Sequence, residues 1–325
     1  MKSVLVIGGA GYIGSHVALT FLRAGYRVSI LDNLSTGRQV NLLDNTSFIH
    51  ADLQDRASLK DVFSQHYDGV IHLASLKAAG ESMDIPEKYA IQNLSGSINL
   101  IEALSNSKID KIIFSSSSAV YGKPKYLPMD ESHPLNPINF YGYTKLQIER
   151  LLEWFDKLKG IKHVSLRYFN AAGFDAEGRI TGLEQNPANL IPIVMEVAIG
   201  KREQVNVFGD DYPTPDGTGI RDYVHVTDLA EAHLRAFSYL SEKNESTSIN
   251  LGTGKGYSVL EVIETSRQIT NRNVFCRVVK RRSGDLPIVY SSSDRALKLL
   301  NWKPKFSDLN TIISTTWKIY ENYTM

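Results

Sequence analysis

Short apolar runs alternate with longer segments of helical periodicity through the first half of the chain. Residues 4–8, 27–31, 69–74, 109–115 and 164–169 carry the runs and predict strands. Residues 12–24, 57–66, 86–104 and 141–158 repeat their apolar positions at helical spacing. The runs show little period-two alternation, which fits strands covered on both faces. Strand–helix alternation implies right-handed crossovers and a parallel sheet, so the fold class is α/β, a Rossmann-type doubly wound sheet.

The texture changes after about residue 170. Residues 171–222 are rich in Gly, Pro and Asn, with one clear helical pattern at 189–199 and a loop at 209–217. Strand patterns resume at 223–226 and 248–251, helical ones at 228–240 and 259–269. Residues 1–170 are read as the first domain, with 223–251 returning to it. Residues 171–325 form a smaller, discontinuous α/β domain. A chain of 325 residues fits two packed domains.

Composition narrows the partners. Lys plus Arg (36) nearly cancels Asp plus Glu (35), so a net charge of +1 gives no general attraction to nucleic acid or an anionic membrane. A local site must hold any anionic ligand. No stretch approaches the length of a membrane span, and the apolar run from Val4 to Ile7 is too short for a signal-peptide core. The single cysteine, Cys276, excludes an intramolecular disulfide, and no metal site is expected. A cytoplasmic location follows as the expectation.

The first strand runs into Gly8-Gly9-Ala10-Gly11-Tyr12-Ile13-Gly14 and then an apolar helix. Gly9, Gly11 and Gly14 fit GxGxxG; Gly8, Gly11 and Gly14 fit GxxGxxG. Either spacing lets a pyrophosphate approach the backbone and the N–H groups at the helix start. Asp32 ends the next strand 18 residues after Gly14, followed by Asn33. A carboxylate there binds ribose hydroxyls and repels a 2′-phosphate, which favours NAD over NADP. Asp52-Leu53 follows the third strand, where an Asp meets the adenine edge or caps a helix.

Oxidising a secondary alcohol also needs a proton acceptor, and a Tyr serves if a cation lowers its pKa. A Lys four residues on lies on the same helical face. The chain has three YxxxK copies. Tyr121/Lys125 contains Pro124, which opposes a helix, and Tyr239/Lys243 runs into a solvated polar segment. Tyr141/Lys145 opens a long amphipathic helix and follows a strand ending in serines, and is the selected pair.

With GGAGYIGSH, LDNLSTG, HLASLKAAGES, SSSSAVYG, YGYTK, LRYFNAAG, NLIPIV, GTGIRDYVHV, NLGTGKGYSV and RRSGDLP, the chain resembles the extended short-chain dehydrogenase/reductase family over nearly its whole length, on the branch that acts on nucleotide sugars. The resemblance implies that Tyr141 is base and acid at sugar O4, Lys145 tunes it and Ser117 assists. It places Lys77 and Asn93 near the cofactor, Tyr168 beside the nicotinamide, and Asn170, Asn189, Arg221, Arg282 and Asp285 on UDP. It sets Val289 beside C2 of the hexose, and implies a homodimer joined through helices near 86–104 and 141–158. The stretch from Ser117 to Tyr141 is one residue shorter than the family spacing.

Relatives that dehydrate or decarboxylate nucleotide sugars carry an acid directly before Val-Tyr-Gly; here Ser118 and Ala119 precede it. What remains is inversion at C4 of a UDP-hexose through a 4-keto sugar, with N-acetylated substrates open. The alternatives are a nucleotide-sugar oxidoreductase with net redox turnover, or a non-catalytic NAD-sensing protein, which would not need Tyr141, Lys145 and Ser117 together.

Overall fold

A computed structural model describes residues 1–185, 187–282 and 284–323. Six parallel strands are laid down first: β1 (Ser3–Ile7), β2 (Arg27–Asp32), β3 (Ser47–His50), β4 (Gly69–His72), β5 (Lys111–Ser117) and β6 (Lys162–Tyr168). They lie in the order β3-β2-β1-β4-β5-β6, and a seventh strand, Thr247–Leu251, adds beside β6. The order in which strands are added therefore reverses between β1 and β4, which opens a crevice at the carboxyl ends of those strands.

Alternation along the strands explains the unbroken apolar runs. Val4, Val6, Ile71 and Ile113 face one core with Val17 and Phe21 of α1 (Tyr12–Arg23). Leu5, Ile7, Val70 and Ile112 face the opposite core, with Leu59 of α2 (Arg56–Val62). Both faces exclude water, so both side-chain sets must be apolar.

The segment predicted as one helix over 86–104 is a composite. Helices α3 (Glu81–Asp84) and α4 (Pro86–Tyr89) precede a π-helical stretch, Ala90–Ser95, which runs into α5 (Gly96–Ser105). The wider turn carries Asn93 inward, where it is buried and bonds the backbone of Leu76 through both amide atoms. Helix α6 (Phe140–Lys159) is capped by the Asn139 side chain and ends at Gly160, whose φ of +71° suits glycine.

The later part begins with β7 (Asn170–Ala172), α7 (Leu190–Ala198), β8 (Val205–Phe208), β9 (Ile220–Arg221) and β10 (Tyr223–His225). Helix α8 (Val226–Lys243) then packs beneath the main sheet through Leu229, Ala236 and Phe237, and β11 (Thr247–Leu251) is the seventh strand. The remainder comprises β12 (Tyr257–Ser258), α9 (Val259–Thr270), β13 (Cys276–Val279), β14 (Ile288–Val289), α10 (Asp294–Leu300) and α11 (Leu309–Tyr320). A separate apolar core joins α7, α9 and α11 through Val194, Ile263 and Ile312. Strands β12, β9 and β14 form a small sheet that brings Arg221 and Val289 into register.

Candidate active site

The glycine turn after β1 is shaped by close approach. Gly8 has φ +81°, and a Cβ there would meet Ala74 N at 2.6 Å. A Cβ on Gly14 would lie 2.0 Å from Gly8 O, so α1 sits directly on the turn. At Gly11 a Cβ would meet one atom within 4 Å, Gly8 O at 3.2 Å, so this corner faces open space. No side chain caps α1 at Gly11, and its first N–H groups, those of Tyr12 and Ile13, are set for an anion. The Tyr12 side chain points elsewhere: its hydroxyl donates to Gly173 O and its ring packs on Phe174.

At the end of β2, Asp32 accepts from Ala10 N at 3.0 Å and Leu34 N at 2.8 Å. Asn33 donates to Asp52 at 2.7 Å, while Leu53 is buried in the core. A bare glycine corner, free helix-end donors and a carboxylate at the second strand suit a dinucleotide, which these residues would hold at pyrophosphate and ribose. Asn41 also belongs here: it donates to Ala10 O at 3.1 Å and accepts from Gly182 N at 2.8 Å. Lys77, which follows β4, pairs with Glu184. Neither Asn41 nor Glu184 stands out in the sequence, since each is recruited by a fold contact.

Tyr141 and Lys145 occupy the first turns of α6. The helix start can press against the Ser118–Val120 turn because residue 142 is glycine; a Cβ there would lie 2.4 Å from Ala119 O. The Ser82 hydroxyl accepts from Tyr141 N at 3.0 Å, and Thr144 links α6 to Asn93 at 3.2 Å. Ser117, at the end of β5, faces Tyr141. Burial pushes the Tyr141 phenol up, and the Ser117 hydroxyl draws it back. Lys145 is 2% exposed and donates to Ser115 O at 2.7 Å. Its ammonium lies 5.8 Å from the centre of the Tyr141 ring. Burial lowers its pKa to about 7, against the pull of the Glu149 carboxylate. Tyr168 ends β6 with its hydroxyl on Ser115, and burial raises its pKa.

The residues expected on UDP lie on the second segment. Asn170 donates to Asp222 O at 3.0 Å. Asn189 is the N-cap residue of α7 but makes no side-chain capping bond, which leaves its amide for another partner. Asp285 sits between two guanidinium groups, with Arg282 Nε at 2.9 Å and Arg221 Nη2 at 3.9 Å. Arg282 also stacks 4.4 Å above the Phe208 ring, a residue that no sequence signal singles out. Val289 pairs with Arg221 and packs against a small apolar cluster that includes Leu146 of α6, so β14 joins the strand of Arg221 to the part of the molecule that carries Lys145.

A doubly wound sheet with a glycine turn at its switch point and a Tyr–Lys pair on the adjoining helix defines a dinucleotide-binding enzyme of the short-chain oxidoreductase type. The family model described as the NAD dependent epimerase/dehydratase family matches residues 4–252, and the chain belongs to that family. It is 45% identical to the UDP-glucose 4-epimerase of Halalkalibacterium halodurans, covering 99% of this chain and 96% of that one. The Lacticaseibacillus casei UDP-glucose 4-epimerase is 43% identical, over 99% and 97%. The crystal structure of Brucella ovis UDP-glucose 4-epimerase in complex with NAD superposes with a TM-score of 0.96, at 41% identity and 98% coverage of each chain.

Proposed function

We propose that this chain interconverts UDP-glucose and UDP-galactose by inverting C4, with NAD held through turnover. The observation that supports this reading is the meeting of Ser117, at the carboxyl end of β5, with the Tyr141–Lys145 pair, in a molecule that also gathers Arg221, Arg282 and Asp285 into one cluster. Bound NAD supplies the hydride acceptor at C4 and returns the hydride. The protein does the rest. Tyr141 Oη takes the proton from the C4 hydroxyl and gives it back, Ser117 holds the same oxygen, and Lys145 stabilises the phenolate. Arg221 and Arg282 hold the diphosphate, leaving the sugar free to turn after oxidation. Asp32 selects NAD over its 2′-phosphorylated form.

The test is direct. Purified protein, denatured, should release stoichiometric NAD, and the native protein should convert UDP-galactose without added cofactor. A need for added cofactor in every turnover would favour the net oxidoreductase.

The assembly proposed is a homodimer through α5 and α6. Ile91, Ile98, Tyr143, Trp154 and Leu158 stand exposed on the π stretch and these two helices, an apolar surface that a second copy would cover. Light scattering giving a monomer at micromolar concentration would contradict it. No helix among the described residues is long and apolar enough to cross a membrane. The cytoplasm is the location proposed, supported by a single cysteine and the nucleotide-sugar substrate.

A further inference from the structure

Behind the Tyr141–Lys145 wall lies a buried charged network with no part in the chemistry above. Glu149 stands one turn past Lys145, so Tyr141, Lys145 and Glu149 form one stripe along α6. The Glu149 carboxylate accepts from Arg167 Nε at 2.9 Å and Nη2 at 2.6 Å, and from the Ser116 hydroxyl. The two charged side chains are 1% and 5% exposed. Arg167 Nη1 in turn donates to the Tyr121 hydroxyl at 3.0 Å, which donates to Asn250 at 2.6 Å.

Three successive serines at the end of β5 meet the three residues of that stripe. Ser115 O receives the Lys145 ammonium, Ser116 donates to Glu149, and Ser117 faces Tyr141. A buried Arg–Glu pair recovers by attraction roughly what it loses in desolvation, and an apolar pair would join helix and strand equally well. Stability therefore does not account for it. An apolar pair could neither bond Ser116 directionally nor place a negative charge behind Lys145.

We propose that Glu149 is a positioning residue for proton transfer: it locks the end of β5 onto α6 and sets a negative charge one helical turn behind Lys145. The proposal rests on the epimerase reading above. Among the described residues, Tyr141 and Glu149 on α6 and His72 on β4 face Lys145, with Tyr168 and Arg167 on β6 one contact further away. Glu149 is the anion of the set. Burial disfavours the Lys145 charge and Glu149 opposes that effect in part, while His72 is held neutral by burial with Lys145 adding to the effect.

The test uses NAD-loaded Glu149→Gln. Expected are a fall in kcat on the order of tenfold at neutral pH, an unchanged KM for UDP-galactose, unchanged NAD content, and a low-pH limb of kcat displaced upward by about one unit. Ultraviolet difference titration, taken against the same protein with Tyr141→Phe, should show the phenol ionising at higher pH, independently of turnover. Ser116→Ala should lower kcat with the limb in place. If Glu149→Gln fails to fold because Arg167 is stranded, the Glu149→Gln/Arg167→Gln double variant takes its place; the fall in kcat is expected to persist, with a smaller displacement of the limb because the Arg167 charge leaves with the carboxylate. A folded variant with wild-type kcat, limb and phenol titration would overturn the proposal, as would a variant that is merely less stable. Tyr141→Phe separates the two levels. An active Tyr141→Phe removes the epimerase reading and this inference with it; an inactive one beside a wild-type Glu149→Gln removes the inference alone.

Discussion

A phenol that accepts a proton near neutral pH must first be ionised, at about 1.4 kcal/mol for each unit between its pKa and the pH. Burial works against Tyr141, so Ser117 and Lys145 must offset it. Tyr141→Phe removes the accepting oxygen and little else. It is expected to lower kcat by roughly 10²–10⁴-fold with NAD content unchanged; more than a few per cent of wild-type turnover would show that another group is the base. Val289 sets a second expectation. The family resemblance sets Val289 beside C2 of the hexose; a valine there would leave room that a tyrosine would fill, so the wild type should accept UDP-N-acetylglucosamine to some degree. Val289→Tyr should shift kcat/KM toward the unacetylated sugar by roughly 10–200-fold; an unchanged ratio would mean that Val289 serves packing alone. Legibility at this scale follows sequence distance. The glycines, Asp32 and the Tyr141/Lys145 spacing are local patterns. The residues assigned to UDP emerge only through family resemblance, because Asn170, Arg221 and Asp285 are far apart in the chain. Asn41, Glu184 and Phe208 show no signal, since contacts from remote segments give them their place.

Elements bring these residues together by approaching more closely than side chains usually permit. Gly142 lets α6 rest on the Ser118–Val120 turn. Gly142→Ala would force that contact apart and draw Tyr141 away from Ser117. The expected result is a loss of kcat of at least about a hundredfold, as geometry alone commands, with the sheet and the NAD site retained by circular dichroism and cofactor content. A fully active variant would show that the close approach is incidental. The strands and long helices were readable because hydrophobic periodicity records which faces are covered. The π stretch was not, because 86–104 keeps its apolar spacing whether or not one turn is widened. The widening is set by Asn93 reaching the Leu76 backbone and Thr144, contacts outside the helix itself. The short strands β9, β12 and β14 were equally hidden, since two residues carry no period.

Across the whole molecule, burial governs the response to acid. His16, His163, His225 and His233 have pKa values lowered to about 4, and His72 to about 3, in each case chiefly by burial. Their contribution to stability is complete above the unfolded value of 6.5 and is lost as pH falls toward 4. Asp222 acts oppositely: burial raises its pKa to about 6, so its folded form holds an extra proton between about 4 and 6. Burial raises the Asp228 carboxyl as well, but the five imidazoles outweigh the two carboxylates, so unfolding takes up protons as pH falls below 6.5 and stability falls with it. Chemical denaturation at pH 7.5, 6 and 5 should show stability falling steeply below 6.5. A flat profile would mean that these imidazoles titrate in the folded state.

In the proposed reaction one hydride leaves C4 and returns to the same carbon from the other face, inside a single protein. UDP-galactose deuterated at C4, incubated with the enzyme in ordinary water, tests it most directly. The expected product is UDP-glucose that retains the deuterium at C4, with no reduced cofactor appearing in solution. Deuterium lost to solvent, or one reduced cofactor released for each sugar converted, would contradict it.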